Sequence, residues 1–373
     1  MIGAHDIGPR YAELHCTSNF SFLEGASHPE ELVRRAHALG YEALAITDRG
    51  TLAGIVRAHA AAKDVGLTLI VGATLEPVDA SPLVLWAADR TGYANLCRLL
   101  TRGHTRRAEM AGAKADPRAE AAAARSGGCL VTLDDVAAHS AGLLAGAVMP
   151  FSCPVPPADE QAARDGGSRR AVAYPRLEAE AFTVAGGAPR GLLSWKDVFG
   201  DRLWMLAEVA LEGDDDERLG RLEQLADRAG VPLVAAGDVR YHERSRLPLF
   251  DALAAVRQGT TVEAIRDTLL ANGERHLHER RRIAERFALL PTGRGTVDAA
   301  GRRYLWPAAV ERSAEIAARC SFSLDELKYE YPDAIVPAGR TAADHLADLA
   351  WKGARKRYPD GVPEKVQELL RHE

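Results

Sequence analysis

The residues of this chain that could do chemistry together stand at the ends of short apolar runs. The stretch ELHCTSNFSFLEGAS (13–27) sets His15 just after such a run, EALAITD (42–48) ends on Asp48, LTLIVGATLEP carries Thr74, and VPLVAAGDVRY (231–241) carries Asp238. In a parallel β/α sheet or barrel, active sites form at the carboxyl ends of the strands, so these are the positions to read. Nitrogen and oxygen ligands converging there from different strands would support metal-dependent hydrolysis of phosphate esters, because a multinuclear centre both makes hydroxide and clamps the phosphate. Each residue also has a plainer role. His15 could be a hydrogen-bonded histidine at a strand end, Asp48 and Asp238 could cap helices or hold arginines, and Cys16 lacks any partner at motif spacing that would activate it.

The elements that must position these residues follow a β/α alternation from residue 11 onward. YAELH reads as a strand. HPEELVRRAHALG reads as a helix with Ser27 as N-cap, Pro29, Glu30 and Glu31 in its first turn and Gly40 at its end. The strand 42–48 precedes a helix over 51–66 that ends on its own glycine. LTLIVGATLEP and SPLVLWAAD read as strands, and TGYANLCRLLTRG as an amphipathic helix. RLWMLAEVAL is a strand, and DDDERLGRLEQLADRAG is a helix with three aspartates at its positive dipole end. Residues 106–128 are alanine-rich and weakly patterned, and 151–190 cluster Pro and Gly, so both segments read as surface insertions.

Beyond about residue 270 the strands fade and helical patterns follow: ERHLHERRRIAERF, PAAVERSAEIAARC, TAADHLADLAWKGARKRY and EKVQELLRHE. A boundary is therefore expected near 270, dividing a β/α domain (1–270) from a mainly helical segment (271–373). The last pattern runs to the final residues, which suggests a truncated chain. Two basic clusters lie in this part: Arg275, His276, His278, Arg280, Arg281 and Arg282, then Lys352, Arg355, Lys356 and Arg357. The first is either a solvated helix face or a contact to a nucleic-acid backbone, with Arg280, Arg281 and Arg282 as the candidate contacts. His276 and His278, one residue apart in a helix, would face different directions and be solvated.

Composition narrows the class. With 373 residues, 47% hydrophobic and 27% charged, the chain is long enough for more than one domain and apolar enough to bury a core. No apolar run approaches the roughly 20 residues that span a bilayer, and MIGAHDIGPR does not have the form of a secretory leader, so a cytosolic protein without a membrane is expected. Five cysteines, scattered and never spaced C-x-x-C, support neither a disulfide framework nor a zinc ribbon. A net charge of -5 argues against a coat over nucleic acid along the whole chain. No G-x-x-x-x-G-K-[ST] phosphate loop and no G-x-S-x-G elbow occurs.

The stretch from YAELHCTSNFSFLEGAS through LIVGATLEP resembles the start of the PHP (polymerase and histidinol phosphatase) domain at the N-terminus of bacterial DNA polymerase III α-type subunits. SNFSFLEGASHPEELV, TGYANLCRLLTRG and GDVRYHERSRLPLFDALAAVRQGTT are most similar to the error-prone, damage-induced branch. SFSLDELKYEYPDAIVPAGRTAADHL resembles the segment that leads into the palm of those polymerases. The resemblance implies a PHP-type (β/α) barrel followed by a mainly helical segment. It implies a parent enzyme that transfers nucleotides from dNTPs to a primer–template end with magnesium, in translesion synthesis and repair, beside a sliding clamp and mutasome proteins. The palm aspartates of such enzymes have no counterpart in this chain.

Carried over by motif, the resemblance also implies that the metal site is dismantled. The family's H-x-H-S stands here as His15-Cys16-Thr17-Ser18, and the following acidic position is kept as Glu24. T-D-H becomes Thr47-Asp48-Arg49, and G-x-E becomes Gly72-Ala73-Thr74. The histidine before the next strand falls at Pro82, and D-V-H-Y becomes Asp238-Val239-Arg240-Tyr241. A remaining ligand would fall near 142–149, without a definite position. Arg49 and Arg240 would repel divalent ions and pair with Asp48, Glu24 or Asp238 in their place, so the barrel is expected to be a non-catalytic scaffold without metal. The alternative is an active metal-dependent phosphoesterase or 3′ to 5′ exonuclease of the PHP family.

Overall fold

Runs of aliphatic residues such as ALAI, LVLWA and LVAA are buried at every position, as strands covered on both faces must be. The computed structural model describes residues 8–111, 128–149, 190–288, 296–297, 303–304, 306–327, 336–337 and 339–372. Strands β1 (Ala12–Glu13), β2 (Ala43–Ile46) and β3 (Thr68–Leu75) pair in parallel, with Ala12 opposite Ala43 and Ala43 opposite Thr68. β4 (Leu83–Ala87) is antiparallel to β3 and to β5 (Leu143–Ala147), after which β5, β6 (Leu203–Glu208) and β7 (Leu233–Ala236) are parallel again. Just past β1 and β7, the Thr17 amide donates to the Val239 carbonyl at 2.8 Å and the Val239 amide to that of His15 at 2.9 Å. This parallel bridge between Cys16 and Val239 brings the seven-stranded sheet nearly to a closed barrel.

The parallel sheet expected from the β/α alternation is interrupted at β4. Only residues 76–82 separate it from β3, too few for the crossover a parallel partner needs. β5 was not read as a strand from the sequence. Its signal was LLAGA behind Gly142, whose left-handed backbone (φ 70) suits glycine. The insertion expected at 151–190 lies outside the described residues except for its last position, as does most of the one at 106–128. The helix predicted as TGYANLCRLLTRG runs over Arg90–Ala111 and so takes in the first residues of that second segment.

Helices α1 (Pro29–Ala38), α2 (Ile55–Val65), α3 (Arg90–Ala111), α4 (Leu133–Ala138), α5 (Arg190–Phe199) and α6 (Asp215–Ala229) follow the strands. Leu32, Val33 and Ala36 of α1 and Ala58, Ala61 and Ala62 of α2 pack with Leu44 and Ile46 of β2 in one large core. The N-cap of α1 is His28, whose amide donates to Glu31 at 2.8 Å. Ser27, the expected cap, binds His242 Nδ1 at 2.7 Å and the His242 amide at 2.9 Å instead.

The alternate side chains of the strands, Ala12, Leu14, Ala43, Ala45, Ile70, Val84, Trp86, Leu144, Trp204, Leu206 and Val234, form a second cluster inside the barrel. Helices α7 (Leu247–Gln258), α8 (Arg280–Ala288) and α9 (Trp306–Ala318) come next, with β8 (Thr296–Val297) and β9 (Arg303–Tyr304) pairing between the last two. Ile316 and Ala317 of α9 join the interior cluster, and Ser313 Oγ accepts from the Ala12 amide at 3.0 Å. α9 thus packs against the amino-terminal end of the barrel. That is why the first compact unit runs to Glu326, past position 270 where the fading of strands placed a boundary. The second unit, 327–373, contains α10 (Ala342–Arg357) and α11 (Glu364–His372), where Arg371 lies 5.8 Å from the Trp351 ring centroid. Among the described residues no helix is long and apolar enough to cross a membrane.

Trp86 ties the interior together. Its indole N–H donates to the Leu14 carbonyl at 2.8 Å across the lumen, and a Cβ at Gly146 would stand 2.6 Å from its ring. Trp86→Phe keeps most of the packing but strands that carbonyl, so urea denaturation is expected to show a loss of about 1–3 kcal/mol.

Candidate functional site

Because β1–β3 and β5–β7 run the same way, their carboxyl ends share one rim, and the reversed β4 begins there just after Pro82. Glu13, buried to 1% exposure, receives the amides of His15 at 2.9 Å and Gly237 at 3.0 Å on Oε1 and the Tyr11 hydroxyl at 2.8 Å on Oε2. It stitches β1 to the chain that follows β7. Burial pushes its carboxyl up to about 6, even with these donors opposing the shift.

His15 sits on that stitch with both ring nitrogens engaged. Nδ1 is 2.6 Å from Glu208 Oε1 and 3.8 Å from Asp238 Oδ1, while Nε2 is 3.3 Å from Thr74 Oγ1. Thr74 donates its own hydroxyl hydrogen to the Thr47 carbonyl at 2.9 Å, so toward His15 it accepts. Burial works against the charged form of the ring, but Glu208 and Asp238 outweigh it and raise its pKa.

Asp238 occupies a left-handed backbone position (φ 43) uncommon outside glycine, asparagine and aspartate. Oδ1 lies 2.7 Å from Arg240 Nη2 and Oδ2 pairs with Arg275 Nη1, whose Nη2 reaches Glu212 at 2.9 Å. Burial would raise the Asp238 pKa, but the two guanidiniums and His15 hold it below the ordinary value. On the neighbouring part of the rim, Arg49 spans Glu24 (3.0 Å) and Glu76 (3.3 Å), and Arg257 approaches Glu24 at 3.5 Å. Asp48 holds neither an arginine nor a helix end. Its oxygens accept from the Ser18 amide (2.8 Å), the Ser18 hydroxyl (2.7 Å) and the Ser21 hydroxyl (2.7 Å), fixing the loop after β1.

The structure brings His15, Thr74, Asp238 and Arg240 together and pairs Arg49 with Glu24. Thr17 is buried in the seam that closes the barrel, and the Pro82 carbonyl accepts from the Val148 amide at 3.0 Å. Cys16 is buried, and that burial pushes its thiol well above the usual range. Sequence reasoning did not single out Glu13, Glu76, Glu208, Glu212 or Arg275 for this rim. Glu208 is the last residue of β6, but the apolar run RLWMLAEVAL continues past it, so the strand-end rule does not reach it from the sequence.

The basic run departs from its expected form. After a bend that ends at Gly273 it pairs like a strand at His276 and becomes helical only at Arg280, because Tyr241 and His276 form a parallel bridge and the Arg240 amide donates to the Arg275 carbonyl at 2.9 Å. Hence His276 and His278 are not on a solvated helix. Their rings lie 3.8 Å apart, each bound to a backbone carbonyl at 2.8 Å, and burial pushes His278 down to about 3. Arg281 pairs with Glu285 at 2.9 Å within α8, and Arg282 with Glu274 at 3.1 Å. Arg280, at the start of α8, lies close to Gly8 and Gly40.

Among the described residues, no group of three or more His, Cys, Asp or Glu side chains is placed to hold a metal ion. Residues 13–166 match the family model of the PHP domain. An error-prone DNA polymerase from Rhodopirellula baltica is 41% identical over 364 residues, 98% of this chain and 27% of its own length. One from Dechloromonas aromatica is 39% identical over 366 residues, 98% of this chain and 29% of its own. The chain thus spans less than a third of the length of these curated relatives. Among solved structures, an amidohydrolase from Chromobacterium violaceum is similar with a TM-score of 0.39 at 17% identity, over 62% of this chain and 88% of that one.

Proposed function

We propose that this chain, which belongs to the error-prone DNA polymerases as an N-terminal PHP region, is a non-catalytic scaffold whose barrel rim is held by ion pairs where relatives of the fold hold metal. The observation that carries the reading is the placement of two guanidiniums, Arg49 and Arg240, on the rim's own carboxylates, Glu24 and Asp238. The donor set does not fit a divalent-metal centre. Thr17 and Thr74 offer neutral hydroxyls, Pro82 offers no side-chain donor, and both nitrogens of His15 are committed to hydrogen bonds. A cation brought among these arginines would meet repulsion of about 1 kcal/mol per unit-charge pair at ~4 Å even at the dielectric of water, and more at a buried rim.

In this reading the whole protein copies damaged template in the cytosol. It adds nucleotides from dNTPs to a primer end with magnesium, through a palm that lies outside this chain, and works beside a sliding clamp and mutasome proteins. The PHP barrel contributes shape and rigidity. No catalytic step is assigned to its rim.

Elemental analysis of protein purified without chelator is expected to find no stoichiometric zinc or manganese. Calorimetric titration of an Arg49→His, Arg240→His double variant with zinc is expected to give no tight binding, since positions 17, 74 and 82 still lack ligands. Stoichiometric metal in the native chain would overturn the scaffold reading. So would steady nucleotide release from a 3′-mismatched primer with manganese, which would make the barrel an exonuclease.

A further inference from the structure

Arg275 and its neighbour Glu274 belong to one extended segment, so their side chains leave on opposite faces. Arg275 turns into the rim toward Asp238, and Glu274 turns the other way. There one carboxylate meets three guanidiniums. Arg286 and Arg282 both reach Glu274 Oε2, Arg282 at 3.1 Å, and Arg244 Nη1 lies 3.4 Å from Oε1. Arg286 is the buried foot of this cluster at 8% side-chain exposure, while Arg244 (65%) and Arg282 (49%) are its open arms.

The local charge does not balance. His278, 3.7 Å from Glu274, is neutral at physiological pH, its pKa held at about 3 by burial, so three positive charges face one negative charge. Asp215, the other acid acting on Arg286, is already engaged by Arg218 at 2.8 Å and by the amides of Ala210 and Glu212. Guanidiniums gathered so closely repel one another, and an added oxyanion relieves that repulsion. The planar forks of Arg244 and Arg282 suit the paired oxygens of a phosphate.

We propose that Arg244 and Arg282, anchored through Glu274 on Arg286, bind phosphates of a nucleic-acid backbone beside the barrel rim. The choice of nucleic acid rests on the reading of the whole protein as a DNA polymerase, whereas the affinity for phosphate comes from the cluster itself. It also moves the expected contact. Arg281 is paired within its own helix, and the second arm comes from Arg244, in the turn before α7, which the basic run of the sequence does not include.

The test is fluorescence anisotropy of the chain with a fluorescein-labelled primer–template duplex across a salt series. The native chain is expected to bind at low salt and to weaken steeply as salt rises. Arg244→Gln with Arg282→Gln should lower affinity by about tenfold or more and reduce the slope of log K against log salt by about 2. The Arg244→Lys, Arg282→Lys variant, which keeps charge, should retain most of the slope, and Arg281→Gln should retain the native affinity. Circular-dichroism melts report whether each variant is folded, and should the glutamine pair unfold, the lysine pair and a native chain competed with inorganic phosphate carry the test. Absence of DNA binding by the native chain at low salt, or unchanged binding by a folded glutamine pair, overturns the proposal. Inorganic phosphate is expected to displace the DNA beyond the effect of sodium chloride at the same ionic strength, since both would occupy the arginine cluster, and displacement no greater than that of sodium chloride also overturns the proposal. None of these readings depends on bound metal or nucleotide release, so the scaffold reading stands or falls separately.

Discussion

Asp238→Ala is expected to cost about 3–5 kcal/mol of unfolding free energy, the range for removing one partner of a buried ion pair. Asp238, at 5% side-chain exposure, is the common partner of Arg240 and Arg275. Without it the Arg240 and Arg275 guanidiniums remain in the rim without the carboxylate they share, and neither can lose its proton. Alanine also fits the left-handed backbone there less well than aspartate does. Asp238→Asn separates the two effects, because asparagine tolerates that backbone and removes only the charge. Urea denaturation should place Asn between the native chain and Ala. If Ala unfolds at the native midpoint, the ion pairs do not hold the rim. The pH dependence of this group has a definite sign. Its folded pKa is depressed, so its contribution is present above the ordinary value of 3.8 and is lost as pH falls through the lower folded value.

Glu13 should behave in the opposite sense. Its folded pKa, about 6, lies above the ordinary 4.5, so the folded state binds the extra proton between these values. Stability from this group is fully present below 4.5 and is lost as pH rises through 6, a change of about 2 kcal/mol for a shift of about 1.5 units. Glu13→Gln should abolish that component. The amide oxygen can keep the two backbone donors and the amide nitrogen can donate to the Tyr11 hydroxyl, so the variant should match the native chain at low pH and exceed it above 6. Glu13→Ala strands the amides of His15 and Gly237 and the Tyr11 hydroxyl, and about 3 kcal/mol or more should be lost at every pH. Denaturation curves collected from pH 4 to 8 for the three proteins are the measurement. Parallel profiles for the native chain and the Gln variant would mean that Glu13 does not titrate in this window.

The two predictions describe one design. The rim carries ion pairs of the chain itself, each base set against at least one acid: Glu24, Arg49 and Glu76 on one part, Glu208, His15, Asp238, Arg240, Arg275 and Glu212 on the other. Such a network ties together the loops after β1, β3, β6 and β7.

The order of strands and helices up to α6 was legible in the sequence, apart from α4, β5 and α5, because their periodicities are local: apolar runs for buried strands, a 3.6-residue pattern and terminal glycines such as Gly66 and Gly230 for the helices. The identities of Arg49, Thr74, Pro82 and Arg240 at the motif positions were legible as well, and their reading as replaced ligands belongs to the proposed function. What the tertiary structure decided depends on partners distant in sequence. The reversal of β4 followed from the length of its connection, and the place of α9 against the barrel from the burial of Ile316 and Ala317. The sequence offered Asp48, Glu24 and Asp238 as equal partners for the arginines, and only the folded chain separated them, giving Asp48 to serines. The basic run was one cluster in sequence and two in space. A strand-like bridge at His276 sends Arg275 inward and Glu274 outward, and the direction of a side chain is set by pairing with another segment, which no local pattern records.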